Sequence, residues 1–332
     1  IVDKIINLSR FKNFDIVTTP ETITIVNNFD KFNFPKNHPG RKETDTYFIS
    51  SDRVLRTQTT SAWLYYLEDE NISNKLQSNG YVGALSYGKV YRRDEIDRYH
   101  YPIFHQIDGF YICEKRQKIF STDDLSDILV DIAKAIYGTN VKTKVFKDEF
   151  PYTDPSIQME IEWNNQWLEV LGAGIIRPSV MPNFNLSSEK YNGWAFGFGV
   201  DRLAMIKMGI PDIRILWSDD PRITKQFKDL DCKYHEVSKF PPINRDISFI
   251  LDANMSLNKF YEIVRDCAKD LTEEVKLLDC YDNEAKFGKN KVSYTFRITY
   301  RSPERTLTNN EINDIQEKIT KAIEQELNAV VR

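Results

Sequence analysis

The chain has 332 residues, 41% hydrophobic and 28% charged, a make-up that fits a folded protein longer than one ordinary domain and favours two. Its net charge of −4 does not point to a nucleic-acid partner. It does not exclude one either, because phosphate contacts need a local basic stripe and not a basic whole.

No run approaches the roughly 18 consecutive apolar residues of a membrane span. Cys113, Cys232, Cys267 and Cys280 contain no C-x-x-C pair, and the four histidines have no metal-ligand spacing. Both facts argue against a zinc site or disulfide scaffold and fit a reducing compartment. The first residue is Ile1 and not Met, so the visible N-terminus is expected to differ from the translated one, and a missing targeting segment carries no information.

In chain order, IVDKIINLSRF has helical spacing, and the β-branched DIVTTPETITIV is expected to be extended and broken at Pro20. Between 80 and 120, GYVGALSYGKVYRR and IFHQIDGFYICEK flank the charged DEIDRYHYP, which predicts a hairpin-like pair with a long loop. A helix is predicted over 124–138, with Asp124 or Ser126 at its N-cap and Gly138 at its end. Strands return at IQMEIEW and WLEVLGAGII, followed by a helix at VDRLAMIKMG. This order predicts a mostly antiparallel sheet with helices packed on it, an α+β core.

The charged, proline-bounded stretch from 218 reads as a linker. Beyond it, RDISFIL, SLNKFYEIVRDCAKDL, EVKLLDCYD, KVSYTFRITY and NNEINDIQEKITKAIEQEL give β-α-β-β-α with room for a last strand, the ferredoxin-like pattern.

Two segments carry chemistry. In GKVYRRDEIDRYHYPIFHQIDGF (88–110), Arg92 and Arg93 offer phosphate ligands, and the facing strand presents Gln106 and Asp108 two residues apart, on one face. A solvated hairpin with surface charges is the plainer alternative. In GWAFGFGVDRLAMIKMGIPDIR (193–214), small residues let backbone approach a ligand, and a helix begins with Asp201 and Arg202 in its first turn. The helix dipole disfavours a cation there, so Arg202 is expected to have another task, such as holding phosphate. An exposed arginine on an ordinary amphipathic helix is the alternative.

Together these segments resemble motifs 2 and 3 of class II aminoacyl-tRNA synthetases. FHQ, GWAFGFGVDRLAM and GIPDIR are similar to phenylalanyl-tRNA synthetases of the single-chain, mitochondrial type. NHPGRKETDTYFI, LRTQTTSAW, FPYTDPSIQMEIEW and WLEVLGAG agree in order, and YRSPERTLTNNEI resembles the family's anticodon-binding domain. The class I motifs HIGH and KMSKS are absent.

The resemblance implies an α+β protein: a class II antiparallel sheet flanked by helices over 1–217, a linker at 218–238, and a ferredoxin-fold anticodon-binding domain over 239–332. Its expected activity is phenylalanine activation with ATP and transfer to tRNA(Phe), with Mg2+ and without zinc, by a monomer of the mitochondrial matrix or another organelle that needs no membrane. A catalytically silent paralogue that binds tRNA is the alternative.

Carried over by position, Arg92 and Arg202 are the catalytic arginines, and Asp94, His100, Phe104 and Glu169 join them around ATP, Glu169 also holding Mg2+. Gln58, Thr60, Gln106 and Asp108 are expected on the polar end of phenylalanine. Phe150 and Tyr152 are expected against its ring, with Ala173, Gly174, Ala195 and Gly197 shaping the pocket. Lys291, Arg297, Arg301 and Arg305 are expected to cluster on the anticodon side. The family more often has glutamate at 108 and 201, phenylalanine at 152, and histidine and serine at 58 and 60.

Overall fold

In the computed structural model, which describes residues 1–332, the opening stretch forms a short helix, α1 (Val2–Ile6). It buries Ile5, and a following 3-10 turn buries Phe11. The extended run divides around Pro20 into β1 (Asp15–Val17) and β2 (Thr22–Thr24). Thr24 caps α2 (Ile25–Asn28), its hydroxyl accepting from Asn27 N at 3.1 Å, and β3 (Arg53–Leu55) pairs with β2. Helices α3 (Ala62–Leu67) and α4 (Glu70–Asn79) follow. The latter ends at Gly80 with φ 76°, a conformation glycine adopts without steric cost.

The predicted hairpin is present as antiparallel β4 (Tyr81–Tyr91) and β5 (Ile103–Glu114). Helix α5 (Thr122–Tyr137) starts earlier than expected, and its cap is Ser121 in place of Asp124 or Ser126. Ser121 N donates to the Asp124 carboxylate at 2.8 Å while Asp124 N donates to Ser121 Oγ at 3.4 Å, a reciprocal capping box. Next comes β6 (Thr143–Phe150), a strand the sequence does not announce: it forms the sheet edge and is largely exposed on both faces. Then follow β7 (Thr153–Trp163), β8 (Gln166–Ile176), β9 (Tyr191–Gly199), α6 (Val200–Met208) and the short α7 (Pro221–Thr224).

Seven strands form one sheet in the order β1-β4-β5-β9-β8-β7-β6, in which β1–β4 is the single parallel pair. One face is covered by α5, whose Leu125, Leu129 and Ile132 pack with Ile107, Met159, Leu171 and Phe196. On the other, Phe110, Ile112, Ile176 and Ala195 lie under Phe32, Trp63 and Phe184. Side chains of this kind each contribute about 1.5–3 kcal/mol when fully buried, so the sheet is anchored from both sides. The stretch after 218 is folded over much of its length. Ile223 is buried, and Phe227, Cys232 and Tyr234 pack around Met205, Met208, Ile210 and Ile213. The chain divides into compact units at Ile1–His235 and Glu236–Arg332.

The second unit runs β10 (Ile243–Asp252), α8 (Asn258–Ala268), β11 (Thr272–Asp282), α9 (Glu284–Phe287), β12 (Lys291–Tyr300), α10 (Asn309–Leu327) and β13 (Val330–Val331). The antiparallel sheet order is β11-β12-β10-β13, as the ferredoxin-like pattern requires. Phe249, Phe296, Ile298 and Tyr300 pack against Phe260, Val264, Ile319 and Ile323 of the two longer helices. The last strand expected at the C-terminus is β13.

Candidate active site

On the face away from α5, the middle of the seven-stranded sheet lacks large side chains. Gly172 and Gly174 of β8 pair with Gly197 and Ala195 of β9, and these residues line a cavity of about 400 Å³. Each small residue has a local cause. A Cβ on Gly172 would lie 3.1 Å from the Phe150 ring, one on Gly174 would collide with Thr153, and one on Gly197 would lie 2.6 Å from Asp108 Oδ1. Phe150 and Tyr152 stack at 6.4 Å and 21° in the wall. Tyr152 is braced edge-on by Trp63 at 5.9 Å and Phe32 at 5.7 Å. Ala173 also borders the cavity, while it pairs with Phe196 and its methyl packs in the core under α5, because neighbours along a strand face opposite ways.

Gln58, Arg92, Phe104 and Gln106 line the polar end of this cavity. Asp108 stands immediately behind Gly197, 4% exposed, and both its oxygens are taken. Thr59 donates its hydroxyl to one, and Thr60 donates to the other at 2.5 Å. Burial pushes the Asp108 carboxyl up to about 6, while those two hydroxyls and the charges of Arg92 and Arg56 pull it down. Thr60 therefore points at Asp108 and is not in the cavity wall, a correction to its expected contact with substrate. One amide proton of Gln58 goes to Asn28 O at 3.2 Å, which leaves the other for a ligand. Thr59, overlooked in the sequence, also donates its N–H to Gln106 Oε1 at 3.4 Å, joining the two polar residues of β5, Gln106 and Asp108.

A second cavity of about 190 Å³ is lined by Arg92, Asp94, His100, Phe104, Asp201 and Arg202 among others. Arg92 borders both cavities. Its Nε donates to Thr57 O at 3.2 Å, and the guanidinium lies 5.2 Å from the Phe104 ring centroid. Burial around it lowers its pKa, yet its surface is exposed; the exposure governs, and an arginine there stays charged. His100 holds Asp97 at 2.9 Å, and this contact, with the backbone N–H of Tyr99, draws Asp97 down to about 2.

Arg202 is exposed and donates Nε to Glu169 O at 3.1 Å. Asp201, buried at the helix start, accepts from His105 N and sits 3.2 Å from His105 Nδ1, so it fastens α6 to β5. The same contact raises the His105 pKa. Glu169 does not line either cavity. A bulge at Val170 nevertheless puts it across from Glu160, on the cavity side of the sheet, where strict alternation would turn it away.

In the second unit the four expected cations do not cluster. Lys291 and Tyr300 end the same strand, roughly 30 Å apart at about 3.4 Å per residue. Arg297 forks onto Asp246 at 2.8 Å, Arg301 pairs with Glu273 at 2.6 Å, and Arg305 pairs with Glu311. Lys291 alone among them has no ion pair.

The family model for the class II core domain (F) of tRNA synthetases matches residues 1–227, and that for the ferredoxin-fold anticodon binding domain matches 238–332. The phenylalanine--tRNA ligase, chloroplastic/mitochondrial, of Arabidopsis thaliana is 37% identical over 98% of this chain and 74% of its own. The mitochondrial phenylalanine--tRNA ligase of Dictyostelium discoideum is 34% identical over 97% and 80%. The phenylalanine--tRNA ligase alpha subunit of Clostridium botulinum (strain Langeland) is 38% identical over 64% and 63%. A class II core with this cavity, an anticodon-binding module and similarity of this order over nearly the whole of this chain place the chain in the phenylalanine--tRNA ligase family.

Proposed function

We propose that this protein activates L-phenylalanine with ATP and transfers it to the 3′ end of tRNA(Phe). The observation that carries the reading is Arg92, which borders both an aromatic-walled chamber and a cleft lined by Asp94, His100, Phe104 and Arg202. The chamber suits a phenyl ring between Phe150 and the small residues of β8 and β9. The amino group would lie toward Gln106 and Asp108, and the carboxylate toward Gln58 and Arg92. The substrate carboxylate then attacks the ATP α-phosphorus in line, which gives phenylalanyl-adenylate and pyrophosphate. Arg92 would neutralise charge at the α-phosphate and Arg202 at the far end of the triphosphate.

Glu169, with its neighbour Glu160, would hold Mg2+ on the nucleotide. No three acidic, histidine or cysteine side chains converge, so phosphate oxygens would complete its shell, as is usual for this ion. When bound, it neutralises phosphate charge.

A ribose hydroxyl of the tRNA end then takes the phenylalanyl group from the adenylate. On the anticodon side, Lys291 and Arg297 share the strand face that points away from α8 and α10, while Arg301 and Arg305 are read as ties within the unit. The mitochondrial names of the relatives support an organelle location, and the protein is read as a monomer. Phenylalanine-dependent ATP–pyrophosphate exchange tests the proposal, and its absence in folded protein at saturating substrates would identify a silent paralogue.

A further inference from the structure

The loop between β4 and β5 forms one wall of the second cavity, through Asp94, Tyr99, His100 and Tyr101. The sheet does not hold it: β4 stops at Tyr91, β5 begins at Ile103, and residues 95–100 are exposed. At its base Arg92 N donates to Pro102 O at 3.0 Å and Arg93 N to Asp45 O at 2.9 Å. Further out it rests on a 3-10 turn at Ile213–Trp217. Ile213 N donates to Arg98 O at 2.9 Å, and Tyr101 packs against the cluster of Met205, Met208, Ile210 and Ile213.

Trp217 ends this turn, and two rings stack on it. Tyr101 does so at 5.4 Å and 22°, and His105 at 5.7 Å and 11°. His105 is itself fixed, its Nδ1 3.2 Å from Asp201 at the start of α6, beside Arg202. Trp217 thus joins the loop wall of the cleft to the strand and helix that carry the opposite wall. It lines neither cavity, and its buried Nε1 has no hydrogen-bond partner. A buried N–H without a partner is costly, and leucine would fill apolar space without that cost. What the position uses is therefore the broad flat face of the ring.

We infer that Trp217 is a positioning residue for the nucleotide: by stacking on Tyr101 and His105 it holds the β4–β5 loop in place as a wall of the cleft that takes ATP. This rests on the reading of that cleft as the ATP site. A loop released from the turn would form the wall only part of the time, and the apparent affinity for ATP falls by that fraction. The phenylalanine chamber is spared. Phe150, Tyr152 and the small residues of β8 and β9 lie outside the stack, and Arg92 and Phe104, which border both cavities, stay tied to Thr57 O and to β5.

The test measures phenylalanine-dependent pyrophosphate exchange, with ATP and phenylalanine varied separately, in variants of Trp217, Tyr101 and Arg202. Trp217→Ala and Trp217→Leu should each raise KM for ATP about tenfold, the scale of lost ring stacking on both sides, and leave KM for phenylalanine unchanged. Trp217→Phe, which keeps a flat ring, should stay close to the unmutated protein. Tyr101→Ala should also raise KM for ATP, and combining it with Trp217→Ala should add little, because both remove the same contact. Should Trp217→Ala not fold, Tyr101→Ala decides alone. A KM for ATP that stays normal in Trp217→Leu and Tyr101→Ala, or rises together with KM for phenylalanine, overturns the inference. Arg202→Ala separates the two readings: if it leaves both kcat and KM for ATP unchanged, the cleft is not the ATP site, and the role of Trp217 falls with it.

Discussion

The two arginines of the candidate site and three arginines of the second unit are held in opposite ways. In the first unit, Arg92 and Arg202 make no ion pair; each directs its Nε to a backbone carbonyl, of Thr57 and of Glu169. In the second, Arg297, Arg301 and Arg305 each meet a carboxylate, of Asp246, Glu273 and Glu311. A carbonyl fixes the direction of a guanidinium without cancelling its charge, whereas a carboxylate neutralises it. The first arrangement keeps two positive charges oriented and available to an anionic ligand such as a triphosphate. The second uses charge to tie strands and loops together.

The largest effect that would break this contrast concerns Arg92. Arg92→Ala should reduce kcat for pyrophosphate exchange by about 10²–10³-fold, the scale for removing one preorganised donor to developing charge. Its melting temperature should stay close to that of the unmutated protein, since no ion pair is lost. A large fall in stability with near-normal exchange would show that Arg92 serves the fold, as the arginines of the second unit do. Arg202→Ala should resemble Arg92→Ala, with the greater part of its effect on ATP.

The acid response of the site comes next in size and follows from Asp108. As the pH falls through about 6, this carboxyl takes up a proton and the substrate ammonium loses its partner. kcat/KM for phenylalanine should then drop about tenfold for each further pH unit. Stability moves the other way at this residue. Its folded pKa lies above the ordinary carboxylate value near 3.9, so the native state binds more protons between about pH 4 and 6, and the residue's contribution to stability falls as pH rises through that window. Melting curves of the unmutated protein and Asp108→Asn from pH 4.5 to 7 should therefore separate as pH rises, with the asparagine variant gaining relative stability. Parallel curves would mean that Asp108 titrates near its usual value.

Much of this contrast could be read from residues in advance, and the reasons for the exceptions are physical. The hairpin carrying Arg92, Gln106 and Asp108 was legible because its strands are long, β-rich and local. The partners that neutralise Arg297 and Arg301 lie 51 and 28 residues away, and strand pairing alone brings them in, so these arginines looked like a free basic patch. Thr59 was overlooked because one turn of 3-10 helix directs two successive hydroxyls to the same carboxylate, which neither strand nor helix periodicity announces. Strand β6 was missed because an edge strand need not alternate.

Arg301 tests the other side of the comparison at smaller scale. Its side chain is 15% exposed, pairs with Glu273, and also donates to Phe240 O. Arg301→Ala should cost the second unit about 1.5–3 kcal/mol, the range for hydrogen bonds to charged groups, visible as a lower denaturation midpoint. Phenylalanine-dependent exchange should be unchanged, because amino-acid activation uses the first unit. A loss of exchange equal to that of Arg92→Ala would show that the two sets of arginines do not divide as described.

The smallest stability effect belongs to Arg297, and it separates structure from recognition. Its fork with Asp246 is 45% exposed on both sides, and exposed pairs contribute little to stability because water screens them. Arg297→Ala should therefore leave the denaturation midpoint of the second unit almost unmoved. Arg297 shares with Lys291 the face of β12 opposite to Phe296 and Ile298, whose side chains lie in the core beneath the helices. If that face meets the anticodon arm, Arg297→Ala should raise KM for tRNA(Phe) in aminoacylation several-fold, more at low salt than at high, while exchange stays normal. Asp246→Ala frees the same guanidinium and should tighten tRNA binding. Should both variants aminoacylate like the unmutated protein, Arg297 joins Arg301 and Arg305 as a tie within the fold, and Lys291 is left as the one cation of the four available to RNA.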